Sequence, residues 1–429
     1  LAGYKAIEGL IHSFGPSELA PLRLSAREAF ERVGLPTRRD EEFKYTPLRQ
    51  LDEQSYAVAY GATVGREELP YSDLDAFHIV FVNGQPAPEL TTPKVLPEGV
   101  VVTSLTDAWE TLPAHVTDQL GQIATLDGRL GSTNDERFKH LNTAHLTDGA
   151  VIYVPRNVTV EDLIAVHFLT KADHGPLVAH PRLLVVLEEN AEIRILESHI
   201  GIQGEAFNNA VVEVSLGSNA RLEHVRLQEE SSDTNHVGAT YVRQSGHSVY
   251  RSVHASYGGL VSRHDLNVWV GGERCETWLD GAYIGLGDQV SDHHTRIDHA
   301  FPNCNSFEVY KGILGGKSRG VFNGKIFVYL DAQKTDAKQT NQALLLSPEA
   351  SIDTKPQLEI FADDVKCTHG ATVGQLREDS MFYLRSRGIP EAQAKALLVY
   401  AFAAEVLEKI SHVGLRETLE KRLYDKLEA

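Results

Sequence analysis

Sulfur is scarce in this chain: 429 residues hold three cysteines and one methionine. Cys275, Cys304 and Cys367 are odd in number and widely spaced, which excludes a disulfide framework and suits a reducing, intracellular compartment. Basic residues are short as well, 41 against 59 acidic ones, for a formal net charge of −18. With no Lys/Arg cluster interleaved with aromatics, nucleic acid and anionic membranes are excluded as natural partners. Long apolar runs are missing too. The most apolar late stretch, Ala396 to Ala404, is far too short to span a bilayer. The first residues, Leu1-Ala2-Gly3-Tyr4-Lys5, lack the basic, apolar, small-residue order of a signal peptide. A cytoplasmic protein is expected.

What is present changes character twice along the chain. Tyr4, Ile7, Leu10, Ile11 and Phe14 recur at helical spacing, and a second helix should end at Val33, with Gly34 in the left-handed cap position and Pro36 beyond it. The mixed-charge run Arg38 to Tyr45 reads as a solvated helix end or a docking loop. Phe77 to Val82 and Val100 to Val102 suit strands, with Ala108 to Gln122 and Glu136 to Leu146 helical. Residues 1–148 are therefore expected to form a mixed α/β cap.

From Gly149 short strands separated by Gly, Asn, Asp and Ser turns take over. Ala191, Ala220, Ser248, Cys275 and Cys304 each precede a strand and lie 29, 28, 27 and 29 positions apart. A fixed period of that size with almost no helix predicts a β-solenoid over residues 149–376, in preference to a β-sandwich, which has no reason to repeat. Solenoid ends must be covered or used for assembly, and the flanking domains are the expected caps. Residues 377–429 return to helix. There Leu415, Leu419, Leu423 and Leu427 form a four-residue stripe, which suits packing within the chain or the docking of another protein.

Several motifs invite chemistry and decline it. Gly312-Ile313-Leu314-Gly315-Gly316-Lys317-Ser318 resembles a phosphate-binding loop, but Lys311 stands where its first glycine belongs, and strand-like alternation follows instead of a helix. In Asp292 to His299, His293 and His294 fall on opposite strand faces, so the His293, His294 and His299 imidazoles do not converge locally and are expected in polar ladders. Cys275 and Cys304, one repeat apart, read as small core residues of the stack.

The densest stretch is Lys366-Cys367-Thr368-His369-Gly370-Ala371-Thr372, after the apolar, buried-strand pattern Leu358-Glu359-Ile360-Phe361 and a turn at Asp363-Asp364. On a strand, Cys367 and His369 project to one face and could hold a soft or borderline metal, although two ligands do not complete a coordination sphere. This stretch resembles the SufB/SufD family of iron–sulfur cluster assembly scaffolds. So do Gly34-Leu35-Pro36-Thr37-Arg38, Phe43-Lys44-Tyr45-Thr46, Val80-Phe81-Val82-Asn83-Gly84, Val321-Phe322-Asn323-Gly324 and Phe382-Tyr383-Leu384-Arg385-Ser386-Arg387-Gly388. Where B-type chains carry His-Glu-Ala-Thr, this one has His369-Gly370-Ala371-Thr372, which looks like the D branch.

The resemblance implies a mainly β protein with a right-handed parallel β-helix core, an N-terminal α/β cap and a C-terminal helical domain. It further implies a non-catalytic scaffold that pairs through a β-helix edge with a SufB-like paralogue and docks a SufC-like ABC ATPase through its C-terminal helices. A homodimer is the expected state when the paralogue is absent. No intrinsic cofactor is expected, only transient iron or a nascent iron–sulfur cluster at the interface of the two paralogues. His369 is then the first candidate ligand. Cys367 comes second, on its same-face spacing. The competing reading is a β-helix carbohydrate-active enzyme, a lyase or hydrolase, with Asp292, Arg296 and Asp298 as its polar set.

Overall fold

The structure is a computed structural model that describes residues 16–48, 51, 54–57, 62–124 and 136–428. The helix expected over Tyr4 to Phe14 lies outside the described residues. The next helix, Ala20–Val33, ends as its sequence requires, with Gly34 at φ 65°. The helix expected over Ala108 to Gln122 is instead two short ones, Leu105–Thr111 and Ala114–Thr117. Pro113 between them lacks the N–H that a continuous helix would use. The helix Arg137–Ala144 follows.

The core is a β-solenoid of about eight turns. Its coils stack into two ten-stranded sheets, parallel throughout except where Gln85–Pro86 and Val101–Ser104 add antiparallel strands at one end. The cap contributes to the stack directly, because Ala76–Val82 pairs in parallel with Thr159–Lys171.

The sequence repeat has a local cause. Asn157, Asn190, Asn219, His247, Arg274, Asn303 and Lys334, each just before a strand or its small leading residue, all have φ between 57° and 64°. That left-handed conformation turns the chain at one corner of seven successive coils, and asparagine tolerates it best among residues with a side chain. Each of these N–H groups then bonds to a carbonyl of the following coil, as Asn190 does to Ser218 at 3.0 Å and Asn219 to Gly246 at 2.9 Å. The asparagine amides continue the stack: Asn219 donates to Asn190, and Asn190 to Asn157, both at 2.7 Å. Inside the same corner Ala191, Ala220, Ser248, Cys275 and Cys304 are fully buried, as core stacking of small residues requires. The segment Gly312 to Ser318 is likewise a strand end and a turn leading to the strand Arg319–Val328, without a helix.

The C-terminal helices correct one expectation. They do not cap the far end of the solenoid. Helix Glu391–Leu407 packs across the outer face of one sheet, over Glu276–Gly285 and Asn305–Leu314. Leu415, Leu419 and Leu423 of helix Val413–Glu428 are completely buried in the same apolar layer, with Leu196, Val225, Val253 and Ile284 of that sheet. The leucine stripe thus serves packing within the chain. Among the described residues, no helix is long and apolar enough to cross a membrane.

Candidate functional site at the open end of the solenoid

Because the helices lie on its flank, the last coil of the solenoid is left bare by the described residues. Its two strands, Ser351–Ile360 and Lys366–Gly374, are the terminal members of the two sheets, each with one neighbour. The Leu358 to Phe361 stretch is consequently not the buried strand its composition suggests. With no coil beyond it, Ile360 is 39% and Phe361 58% exposed. Pro356 sits in this strand without penalty to a ladder, since an edge position has no next strand to receive its missing N–H.

Cys367 and His369 ride on the other terminal strand. Register places Cys367 beside Ala337, and His369 beside Gln339, which in turn lies beside Glu308. Both side chains therefore belong to the face that looks into the solenoid, roughly 7 Å apart along the strand. Cys367 is half-buried against Val365, Leu358 and Ala362. Burial pushes its thiol upward, and the nearby Asp336 carboxylate adds to the rise against a hydrogen bond from the Ala337 backbone. Lys366 does not offset this, since it alternates to the opposite face. His369 is exposed. Gly370, on the opposite face, has open space where a side chain would begin, so packing does not demand glycine there.

Among the described residues no group of three or more His, Cys, Asp or Glu is arranged to hold a metal ion. Cys367 and His369 share one face of an edge strand, and among the described residues no third His, Cys, Asp or Glu joins them. The histidine cluster does not supply them. His293 points inward against Ser291 (3.0 Å), His294 points outward between Asp292 and Glu42, and His299 bonds to Ser306. Asp292, Arg296 and Asp298, the polar set of the carbohydrate reading, are buried. Arg296 is engaged with Asp298 at 2.6 Å and Asp292 with Arg263 at 3.1 Å; Asp292 lines a pocket with Glu42, Thr46 and His294, and Arg296 and Asp298 lie outside it, so the three do not share one groove.

The run Arg38 to Tyr45 is a docking loop. Its 3-10 turn, Glu41–Phe43, straddles successive coils. Glu42 accepts from Arg263 through its carbonyl and from Asn323 (3.1 Å) through its carboxylate, which also faces His294 at 3.3 Å. The Phe43 ring lies 3.9 Å from the Arg263 guanidinium, Thr46 donates to Asp292, and Glu41 pairs with Lys355 at 2.5 Å on the terminal strand. Burial would lower the His294 pKa, but Asp292 and Glu42 outweigh it and hold it at about 9.

Two family domains match the chain. Residues 168–402 match the SufBD core domain of the SUF system for FeS cluster assembly, and residues 2–166 match the SufBD protein N-terminal region. The chain belongs to the SufBD family. An iron–sulfur cluster assembly SufBD family protein of Synechocystis is 36% identical, with 96% of this chain and 92% of the relative aligned. The iron–sulfur cluster assembly protein SufD of Escherichia coli is 32% identical over 92% of this chain and 90% of its own. SufD of Bacillus subtilis is 28% identical over 67% and 66%. The two relatives named SufD agree with the expectation drawn from Gly370 and put the chain on the SufD side of the family.

Reading from sequence missed the polar interior of this SufBD fold. Glu197, His199, His224, Arg226, Gln228, Glu230, His236 and His254 are all buried. In Leu222-Glu223-His224-Val225-Arg226-Leu227-Gln228, period-two logic points the polar residues at solvent. In fact Leu222 joins the interior cluster with His224 and Arg226 on its face, while Val225 and Leu227 face outward under the C-terminal helices. The only available hint was that both faces of this strand carry apolar residues.

Proposed function

We propose that this chain is a SufD-like scaffold subunit of a reducing, cytoplasmic SUF assembly, and that its bare terminal coil is where a SufB-like paralogue pairs with it. One observation carries the reading: the two terminal strands expose unpaired backbone edges, and one of them bears Cys367 and His369 as an unfinished donor set. Strand addition by a second solenoid would satisfy those edges and bring further ligands to the pair. Iron or a nascent iron–sulfur cluster is the cargo, with His369 as ligand and Cys367 as its partner once the metal's positive charge draws off the thiol proton. ATP hydrolysis falls to a SufC-like ATPase. With the leucine stripe buried, its docking surface is the helix Glu378–Ser386, which buries none of its residues and leaves Phe382 75% and Tyr383 57% exposed.

Native mass spectrometry of the chain co-expressed anaerobically with SufB-like and SufC-like partners tests the assembly. A complex of one copy of this chain, one paralogue and two ATPases is expected, and His369→Ala should preserve it while abolishing cluster delivery to an apo client. A chain that stays alone or only self-associates would overturn the pairing, and normal client maturation by His369→Ala would overturn the ligand.

A further inference from the structure

Cys275 and Cys304 occupy the same corner of two successive coils, beneath the turn residues Glu273, Arg274, Phe301 and Asn303, which are exposed. The strands that follow are in register, Glu276 beside Asn305, and the Asn305 N–H bonds to the Cys275 carbonyl at 3.0 Å. Neighbouring strands lie about 4.8 Å apart, inside the Cα separation of roughly 4.4–6.8 Å that a disulfide spans. The sulfurs also converge. Cys275 Sγ lies 3.3 Å and Cys304 Sγ 3.2 Å from one acceptor, the Gly272 carbonyl. Stacking alone does not call for two thiols, since the equivalent positions in other coils are Ala191, Ala220, Ser248 and Thr335.

We infer that Cys275 and Cys304 form a peroxide-reactive dithiol that closes to an intramolecular disulfide, a modification site separate from Cys367 and His369. The Cys275 thiolate attacks one oxygen of a small peroxide, the O–O bond breaks, and hydroxide leaves to take up the proton that Cys275 gave off. Cys304 then attacks the sulfenic sulfur, the S–O bond breaks, and the Cys304 proton leaves with that oxygen as a second water. Two thiols and one hydrogen peroxide thus yield one disulfide and two waters. The order follows from the surroundings: besides the neighbouring Cys304 thiol, the Ser248 hydroxyl donates to Cys275 Sγ at 3.8 Å and favours its thiolate, so Cys275 attacks first. Both cysteines are completely buried beneath the turns, which disfavours any bulky oxidant.

The test uses the reduced full-length protein, exposed to hydrogen peroxide in native buffer, quenched, unfolded and alkylated with N-ethylmaleimide, with intact mass and peptide mapping as readouts. At least two of the three alkylations should be lost, with one linked peptide pair joining Cys275 to Cys304 and released by dithiothreitol. In Cys304→Ala, which the alanines of other coils show the corner accepts, the linked pair should vanish and dimedone added with the denaturant should label Cys275. Alkylation of both Cys275 and Cys304 at peroxide levels that oxidise Cys367 would overturn the inference. So would a linked pair that includes Cys367.

Discussion

The solenoid interior is divided lengthwise. Beside the corner built on left-handed residues it is apolar, with Ile193, Val212, Val214, Val242, Leu266, Val268 and Ile297 in one cluster. Beside the opposite corner the same coils hold a connected polar network. Glu197 accepts from His224 at 2.8 Å and faces Arg226 at 3.3 Å, Arg226 reaches His254 at 2.9 Å and His236 at 2.6 Å, and His236 meets Glu230 at 3.0 Å. Apolar stacking tolerates small errors because each contact is individually weak. A buried charge network tolerates none, since removing one member strands the others in low dielectric.

Replacing Arg226 by Met should sharpen that contrast most. It leaves Glu197, which is fully buried, without its cation, and is expected to cost about 3–5 kcal/mol in chemical denaturation. Ile193→Val, one coil earlier in the apolar half, should cost only about 1 kcal/mol. Equal losses would mean that the polar network is hydrated rather than dry.

A pH dependence comes next. Burial raises the Glu308 carboxyl to about 7, so the folded chain keeps a proton there that the unfolded chain gives up near pH 4.5. Its contribution is complete below pH 4.5 and is lost as pH rises to 7, a change of about 3 kcal/mol. Unfolding measured from pH 5 to 8 should show the wild type losing stability through this group, and Glu308→Gln should remove that component. An unchanged slope in the variant would assign the effect elsewhere.

The smallest effect belongs to the left-handed corner. Asn219→Ala should cost about 1 kcal/mol and Asn219→Gly much less, because glycine restores the conformation while losing only the amide bond to Asn190. Equal losses in thermal denaturation would shift the weight from backbone conformation to the asparagine ladder.

These regions differ in legibility for the same reason. The corner repeats itself in sequence, since five coils in a row pair a left-handed residue with a small one, from Asn190-Ala191 to Asn303-Cys304, and this spacing pointed to the solenoid. The polar half repeats nothing: His224, Ser252, Leu279, Glu308, Gln339 and His369 form one column in space, yet no two successive members share a chemistry. Cys367 and His369 were visible as a same-face pair and sit that way. That they lie on an uncovered terminal coil depends on where the C-terminal helices pack, and an amphipathic stripe states only that it will be buried, not against which surface.

The docking loop at Glu41 to Thr46 has a mechanical consequence. It grips Arg263, Asp292 and Asn323 on consecutive coils and finishes at Lys355 on the last one. Strain applied to that outermost strand does not peel a single coil, because the loop acts as a splint that shares the load across four. A pull or twist delivered at the bare end would travel along the stack as a stiff displacement, arriving at the N-terminal cap instead of dissipating in the first coil it meets.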